Sequence, residues 1–190
     1  MLLAKFQAVG RDLFAKGMIS SNNGSMSIRS GDKLVITRRG SMLNNLGEQD
    51  IIETGINKND RATPLAPTEL AVHRSIYRLT PALAVIYAHP PHAIALSLTE
   101  RKIIPNDVEG SSLLPNIPVI APREKAKNLE LANEIAEALK NDRIIMVCGH
   151  GCFAVGQLLE EAFHCTTSFE DSCRIICLLK SLGSKPAVKV

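Results

Sequence analysis

Apolar residues recur along the chain with two different periods, and the switches between them divide it into helices and strands. Leu2, Leu3, Phe6, Val9, Leu13 and Phe14 share one face of a helix over residues 2–16, with Gly17 as its stop. Ser20 to Gly24 is a loop by composition. Alternation in Ser25 to Arg29 and in Lys33 to Thr37, around the turn Ser30-Gly31-Asp32, predicts a β-hairpin, and Asp50 to Thr54 reads as another short strand. Asn57 to Pro67 is a polar, proline-bearing loop, and Thr68 stands where an N-cap would start a helix running to about Arg78. Leu83 to Tyr87 reads as a buried strand and His92 to Thr99 as helix. Ile103 to Ile120, broken by Pro105, Gly110, Pro115 and Pro118, is expected to be irregular. Lys125 to Leu139 carries an amphipathic helical stripe. Short strands at Ile144 to Cys148 and Cys152 to Val155 flank Gly149-His150-Gly151. Leu158 to Leu182 is a long helix, and the tail after Gly183 is expected to be loose.

Hairpins mixed with helices, without regular βαβ alternation, point to an α/β sandwich with a mostly antiparallel sheet. The 190 residues suffice for one domain over 1–190 with a sizeable core. With 45% apolar and 22% charged residues, the composition is that of a folded domain. A net charge of +3, with no basic cluster interleaved with aromatics, gives no nucleic-acid signature. The apolar runs are far shorter than a membrane span, and Met1 to Phe6 continues into Gln7, Arg11 and Asp12 without a signal-peptide pattern. Cysteines at 148, 152, 165, 173 and 177 are odd in number and lack framework spacing. They suit a reducing, cytoplasmic setting and read as small core residues rather than a zinc site.

Two histidines stand at strand ends next to Gly or Pro. His89 follows the strand Leu83 to Tyr87, and His150 lies between glycines; Glu69 opens the helix after Pro67. Such ends converge on ligand sites more often than element interiors do, and imidazoles with a carboxylate make a common first shell for zinc and related metals. Ordinary hydrogen-bonded histidines are the competing reading at each position. His73 and His164 lie inside helices and read as packing or surface residues, with Tyr77 and Phe163 in the core.

Longer stretches around these residues carry a resemblance. Glu69-Leu70-Ala71-Val72-His73-Arg74-Ser75-Ile76-Tyr77, then Ala84 to Ala93 with His89-Pro90-Pro91, then Cys148-Gly149-His150-Gly151-Cys152-Phe153, resemble in order the motifs of the class II aldolase and adducin family. Gly24-Ser25-Met26-Ser27-Ile28-Arg29 with Leu34 to Thr37 looks like that family's phosphate-loop region. The resemblance implies a three-layer α/β/α sandwich and a divalent metal, usually zinc, on three histidines. By position, two of these are His89 and His150, and Glu69 takes the catalytic acidic position. It also implies a phosphate subsite at Gly24, Ser25, Thr37, Gly40 and Thr68, where Arg38 and Arg39 add positive charge suited to an anion.

The pattern is broken in three places: Tyr87 replaces the first histidine of a pair, Ser25 an asparagine, and Pro67 a serine. A phenol must lose a proton, at an ordinary pKa of about 10, before it ligates well. Tyr87 is therefore a weaker metal ligand than imidazole; His92 is a further candidate, and His89, His150 and Glu69 alone make a reasonable set. The resemblance implies a homotetrameric lyase that cleaves a ketose 1-phosphate such as fuculose phosphate into dihydroxyacetone phosphate and an aldehyde. Its alternatives are a sugar-phosphate 4-epimerase and a non-catalytic, adducin-like binding module.

Overall fold

The computed structural model describes residues 2–121 and 128–184. Helix α1 (Leu2–Ala15) buries Phe6, Val9, Gly10 and Leu13 at i, i+3, i+4 and i+7; of the face read from the sequence, Leu2 and Phe14 are exposed instead. The hairpin follows as β1 (Ser25–Ser30) and β2 (Lys33–Thr37), then β3 (Ile51–Gly55). Helix α2 (Leu70–Leu79) leads into β4 (Ala84–Ala88) and α3 (Pro91–Ser97). After β5 (Lys102–Ile103), α4 (Val108–Leu113) and β6 (Ile117–Ile120) come α5 (Asn128–Ala138), β7 (Ile144–Val147), β8 (Gly151–Gly156) and α6 (Leu159–Ser181).

One eight-stranded sheet runs in the order β3-β2-β1-β4-β8-β7-β6-β5. Every neighbouring pair is antiparallel except β6 with β7. The central strands are buried on both faces, so their residues divide by parity. Ala84, Ile86 and Ala88 of β4, Ile144 and Met146 of β7, and Cys152 and Ala154 of β8 face the layer of α1, α3 and α6. Val85 and Tyr87, Ile145 and Val147, and Phe153 face the layer of α2 and α5. The three-layer α/β/α sandwich is therefore present, with a mostly antiparallel sheet.

Two local expectations are corrected. The stretch Ile103 to Ile120 is regular rather than irregular, containing part of β5, α4 and β6. Asp107 starts α4 by accepting a hydrogen bond from Gly110 N at 2.7 Å, and β6 gains its identity by lying parallel to β7. Thr68 is not the N-cap of α2. Glu69 occupies that position, and the Thr68 hydroxyl donates instead to Glu69 Oε1 at 2.6 Å. The expected start of α5 at Lys125 and the expected loose end of the tail lie outside the described residues.

Beneath β1, a polar network ties the sheet to α2. Fully buried His73 meets Ser25 Oγ through Nε2 at 2.9 Å and Ser27 Oγ through Nδ1 at 2.7 Å. Ser27 Oγ also meets the Tyr77 hydroxyl at 2.7 Å. Burial holds the His73 ring down to about 3, so it stays neutral in the folded chain. The unfolded chain, with its imidazole at the ordinary 6.5, takes up a proton that the folded chain refuses as pH falls below 6.5. This contribution to stability is present above 6.5 and is lost on the way down to about 3, at up to roughly 1.4 kcal/mol per pH unit. Denaturant midpoints should therefore fall more steeply between pH 6.5 and 4.5 in the wild type than in His73→Gln, and parallel slopes would contradict this.

Candidate active site

The end of β4, the start of β1, the end of β2, the N-terminal end of α2 and the β7–β8 turn meet at one end of the central strands. Register explains the meeting: Tyr87 pairs with Ser25 and with Phe153, and Ala88 pairs with Cys152. His89, one residue past β4, is thereby set opposite His150, one residue before β8. Their ring centroids are 5.8 Å apart. Two glycines make the approach possible. Gly149 turns the chain with a φ of 67°, and at Gly151 a Cβ would stand 2.5 Å from Ala88 O and 2.8 Å from Tyr87 Cε2.

These residues open on a cleft of about 170 Å³ lined by Gly24, Arg38, Arg39, Gly40, Pro67, Thr68, Glu69, Tyr87, His89 and His150, together with Asn22 and Asn23. Arg39 is held by bonds from its backbone N to Leu65 O at 2.9 Å and from Nε to Ala66 O at 3.0 Å. Two arginines, a carboxylate and two imidazoles line this one cleft, which thereby combines groups suited to an anion with groups suited to proton transfer.

Most of the residues singled out from sequence are brought together there: Gly24, Arg38, Arg39, Gly40, Thr68, Glu69, Tyr87, His89 and His150. Ser25 and Thr37 are placed differently. Ser25 is fully buried with its hydroxyl on His73, and Thr37 Oγ1 accepts from Met26 N at 3.1 Å inside the hairpin. His92 turns from the cleft to pair with Glu170 through Nδ1 at 2.7 Å. Asn22 and Asn23 were read only as loop, although two amides before a glycine suit a polar cleft.

Tyr87 is 2% exposed and stacked on Phe153 with centroids 4.6 Å apart. Its hydroxyl shares a 2.8 Å hydrogen bond with His150 Nε2. Burial, then the nearby Glu69 and Cys152, push the phenol well above its ordinary range, so as a free side chain it is a proton donor. Burial and then His150 hold the His89 ring below the usual imidazole range, with Glu69 pulling the other way. His89 Nε2 is buried with no hydrogen-bond partner among the described residues. Such an orphaned nitrogen costs roughly 1–3 kcal/mol unless a ligand pairs with it.

The α/β/α sandwich thus brings two histidines, a carboxylate and two arginines to one cleft where β4 ends and β8 begins. Residues 4–177 match the Class II Aldolase and Adducin N-terminal domain, and the chain belongs to that family. The crystal structure of l-fuculose-1-phosphate aldolase from Thermus thermophilus is 36% identical, with a TM-score of 0.90 over 98% of this chain and 98% of that one. L-fuculose phosphate aldolase of Methanocaldococcus jannaschii is 28% identical over 92% of this chain and 94% of its own. A probable bifunctional methylthioribose-1-phosphate isomerase/methylthioribulose-1-phosphate dehydratase of Nocardia farcinica is 26% identical over 91% of this chain, which spans only 35% of that protein. With these relatives, the chain is an enzyme of the aldolase family.

That family is generally dependent on a divalent metal. Among the described residues no three His, Cys, Asp or Glu side chains converge as a ready ligand group. Two imidazoles do face each other, one with an unpaired buried nitrogen, and the Tyr87 oxygen stands 2.8 Å from the other. Glu69 does not join the two imidazoles as a ready third ligand, so the donor set fits a divalent ion through His89, His150 and the Tyr87 oxygen, more weakly than three imidazoles would. Tyr87→His should therefore raise affinity for zinc, read by competition with a chromogenic chelator, and unchanged affinity would show that Tyr87 does not limit the site.

Proposed function

We propose that the chain is a metal-dependent lyase that cleaves a ketose 1-phosphate, with fuculose phosphate as the reference substrate, into dihydroxyacetone phosphate and an aldehyde. The observation that carries this reading is the buried, unpaired His89 Nε2, on a ring 5.8 Å from that of His150, with Glu69, Arg38 and Arg39 lining the same cleft. We also propose zinc as the metal, a single domain over 1–190, a cytoplasmic setting and a homotetramer. The exposed apolar side chains Leu98, Val108, Leu178 and Leu182 support the last of these. No helix among the described residues is long and apolar enough to cross a membrane.

Each group has a task in this reading. The phosphate lies between the guanidiniums, the Thr68 hydroxyl and the loop at Gly24 and Gly40, which fixes the sugar's direction. When bound at His89 and His150, a divalent metal supplies Lewis-acid polarisation at the ketose carbonyl and its neighbouring hydroxyl. Glu69 takes the proton of the hydroxyl on the far side of the scissile carbon–carbon bond. Breaking that bond releases the aldehyde and leaves the electron pair on the three-carbon fragment, which recovers a proton from Glu69. The Tyr87 hydroxyl, fixed by stacking on Phe153, orients the His150 ring.

Glu69→Gln is expected to fold normally and to lower release of dihydroxyacetone phosphate from l-fuculose 1-phosphate by roughly 10²–10⁴-fold. Wild-type turnover in that variant would remove Glu69 from the chemistry. Isomerised sugar without dihydroxyacetone phosphate would instead favour the 4-epimerase reading. Arg39→Ala should raise KM with kcat nearly unchanged, because it binds the phosphate in ground and transition states alike.

A further inference from the structure

Helix α3 is seven residues long, yet it is tied to both histidine motifs. At its start Glu170 of α6, 6% exposed, accepts three hydrogen bonds. Oε1 receives His92 N at 3.1 Å and His92 Nδ1 at 2.7 Å, and Oε2 receives Ala93 N at 3.1 Å. These backbone amides belong to the first turn, where a helix offers its own N–H groups no internal partner. Only Pro90 and Pro91 separate this clamp from His89, and each has its φ fixed by its ring. The other side of His89 is also held, since its backbone N donates to Met18 O at 2.7 Å.

The far end of α3 grips the second motif. Ser97, 3% exposed, accepts from Gly149 N on its Oγ at 2.9 Å. The Ser97 carbonyl accepts from Cys148 Sγ at 3.1 Å. The same hydroxyl donates to Ile94 O at 2.7 Å, which aims its lone pair at Gly149. The two residues leading into His150 therefore hang from the last turn of the helix whose first turn follows His89.

We propose that α3 is the strut that sets the gap between His89 and His150, with Glu170 and Ser97 as positioning residues at its two ends. This rests on the metal-site reading above. Neither residue lines the cleft, so each acts through an imidazole rather than on substrate. Groups that orient metal-bound histidines typically change metal affinity by roughly 10–100-fold when removed.

The test is calorimetric titration of zinc into the chelator-stripped full chain, for wild type, Ser97→Ala, Glu170→Gln and His150→Ala. The expected result is binding by wild type, loss in His150→Ala, and affinities roughly 10–100-fold weaker in Ser97→Ala and Glu170→Gln. Faster amide exchange at Gly149 should accompany Ser97→Ala. With l-fuculose 1-phosphate, kcat should fall while KM stays within about two-fold, because the phosphate end of the cleft is untouched; a merely structural defect would not separate the two. Wild-type affinity in both variants overturns the strut and leaves the metal reading standing. If one variant fails to fold, wild-type affinity in the other is sufficient to overturn it. Absence of zinc binding by the wild type overturns the metal reading and the strut together.

Discussion

The close approach of β8 to the end of β4 is the constraint on which the site depends. Ala88 pairs with Cys152, and the carbonyl of Ala88 lies where a side chain at Gly151 would have to go. Without a Cβ there, the strand can begin beside β4, and the turn before it carries His150 to the strand end where His89 emerges. A methyl group at position 151 would have to push back both the Ala88 carbonyl and the Tyr87 ring. The sheet pairing, the ring stack on Phe153 and the two-imidazole gap would then shift together. Fold and site are one problem here: the pairing that closes the core between the helix layers also places the chemistry.

Tyr87 shows how the chain handles its departure from the family pattern. The residue occupies a family histidine position but is fully packed, its ring against those of Phe153, His89 and His150. Burial favours the neutral phenol, while metal ligation favours the phenolate. These demands oppose each other in one side chain, so the site is poorer in nitrogen donors and more dependent on how His89 and His150 are held. The Tyr87 hydroxyl pairs with His150 Nε2 while His89 Nε2 has no partner among the described residues, so the two nitrogens are unequal.

Much of the fold was legible because its large elements have clean periods. Helices α2 and α6 and the β1–β2 hairpin follow from side chains that repeat every 3.6 or every two residues. The stretch Ile103 to Ile120 was illegible because its pieces are too short for a period to establish itself. β5 has two residues, and β6 has four with a proline among them. Their identity comes from neighbours distant in sequence. At the site, motif order located Glu69, His89 and His150. It could not say where side chains point. A two-residue period places Ser25 and Ser27 on one face of β1 but does not say which face, and His73 claims both hydroxyls from below. Glu170 and Ser97 carry no local signal, since their partners lie 78 and 52 residues away.

The central claim is that two histidines on adjoining strand ends hold a metal despite Tyr87. Elemental analysis of the purified, tag-free protein, beside His89→Ala and His150→Ala, tests it most directly. The account predicts close to one zinc or similar divalent ion per chain in the wild type, lost in both variants. A wild type that stays metal-free after incubation with excess zinc, or variants that keep the ion, would contradict it.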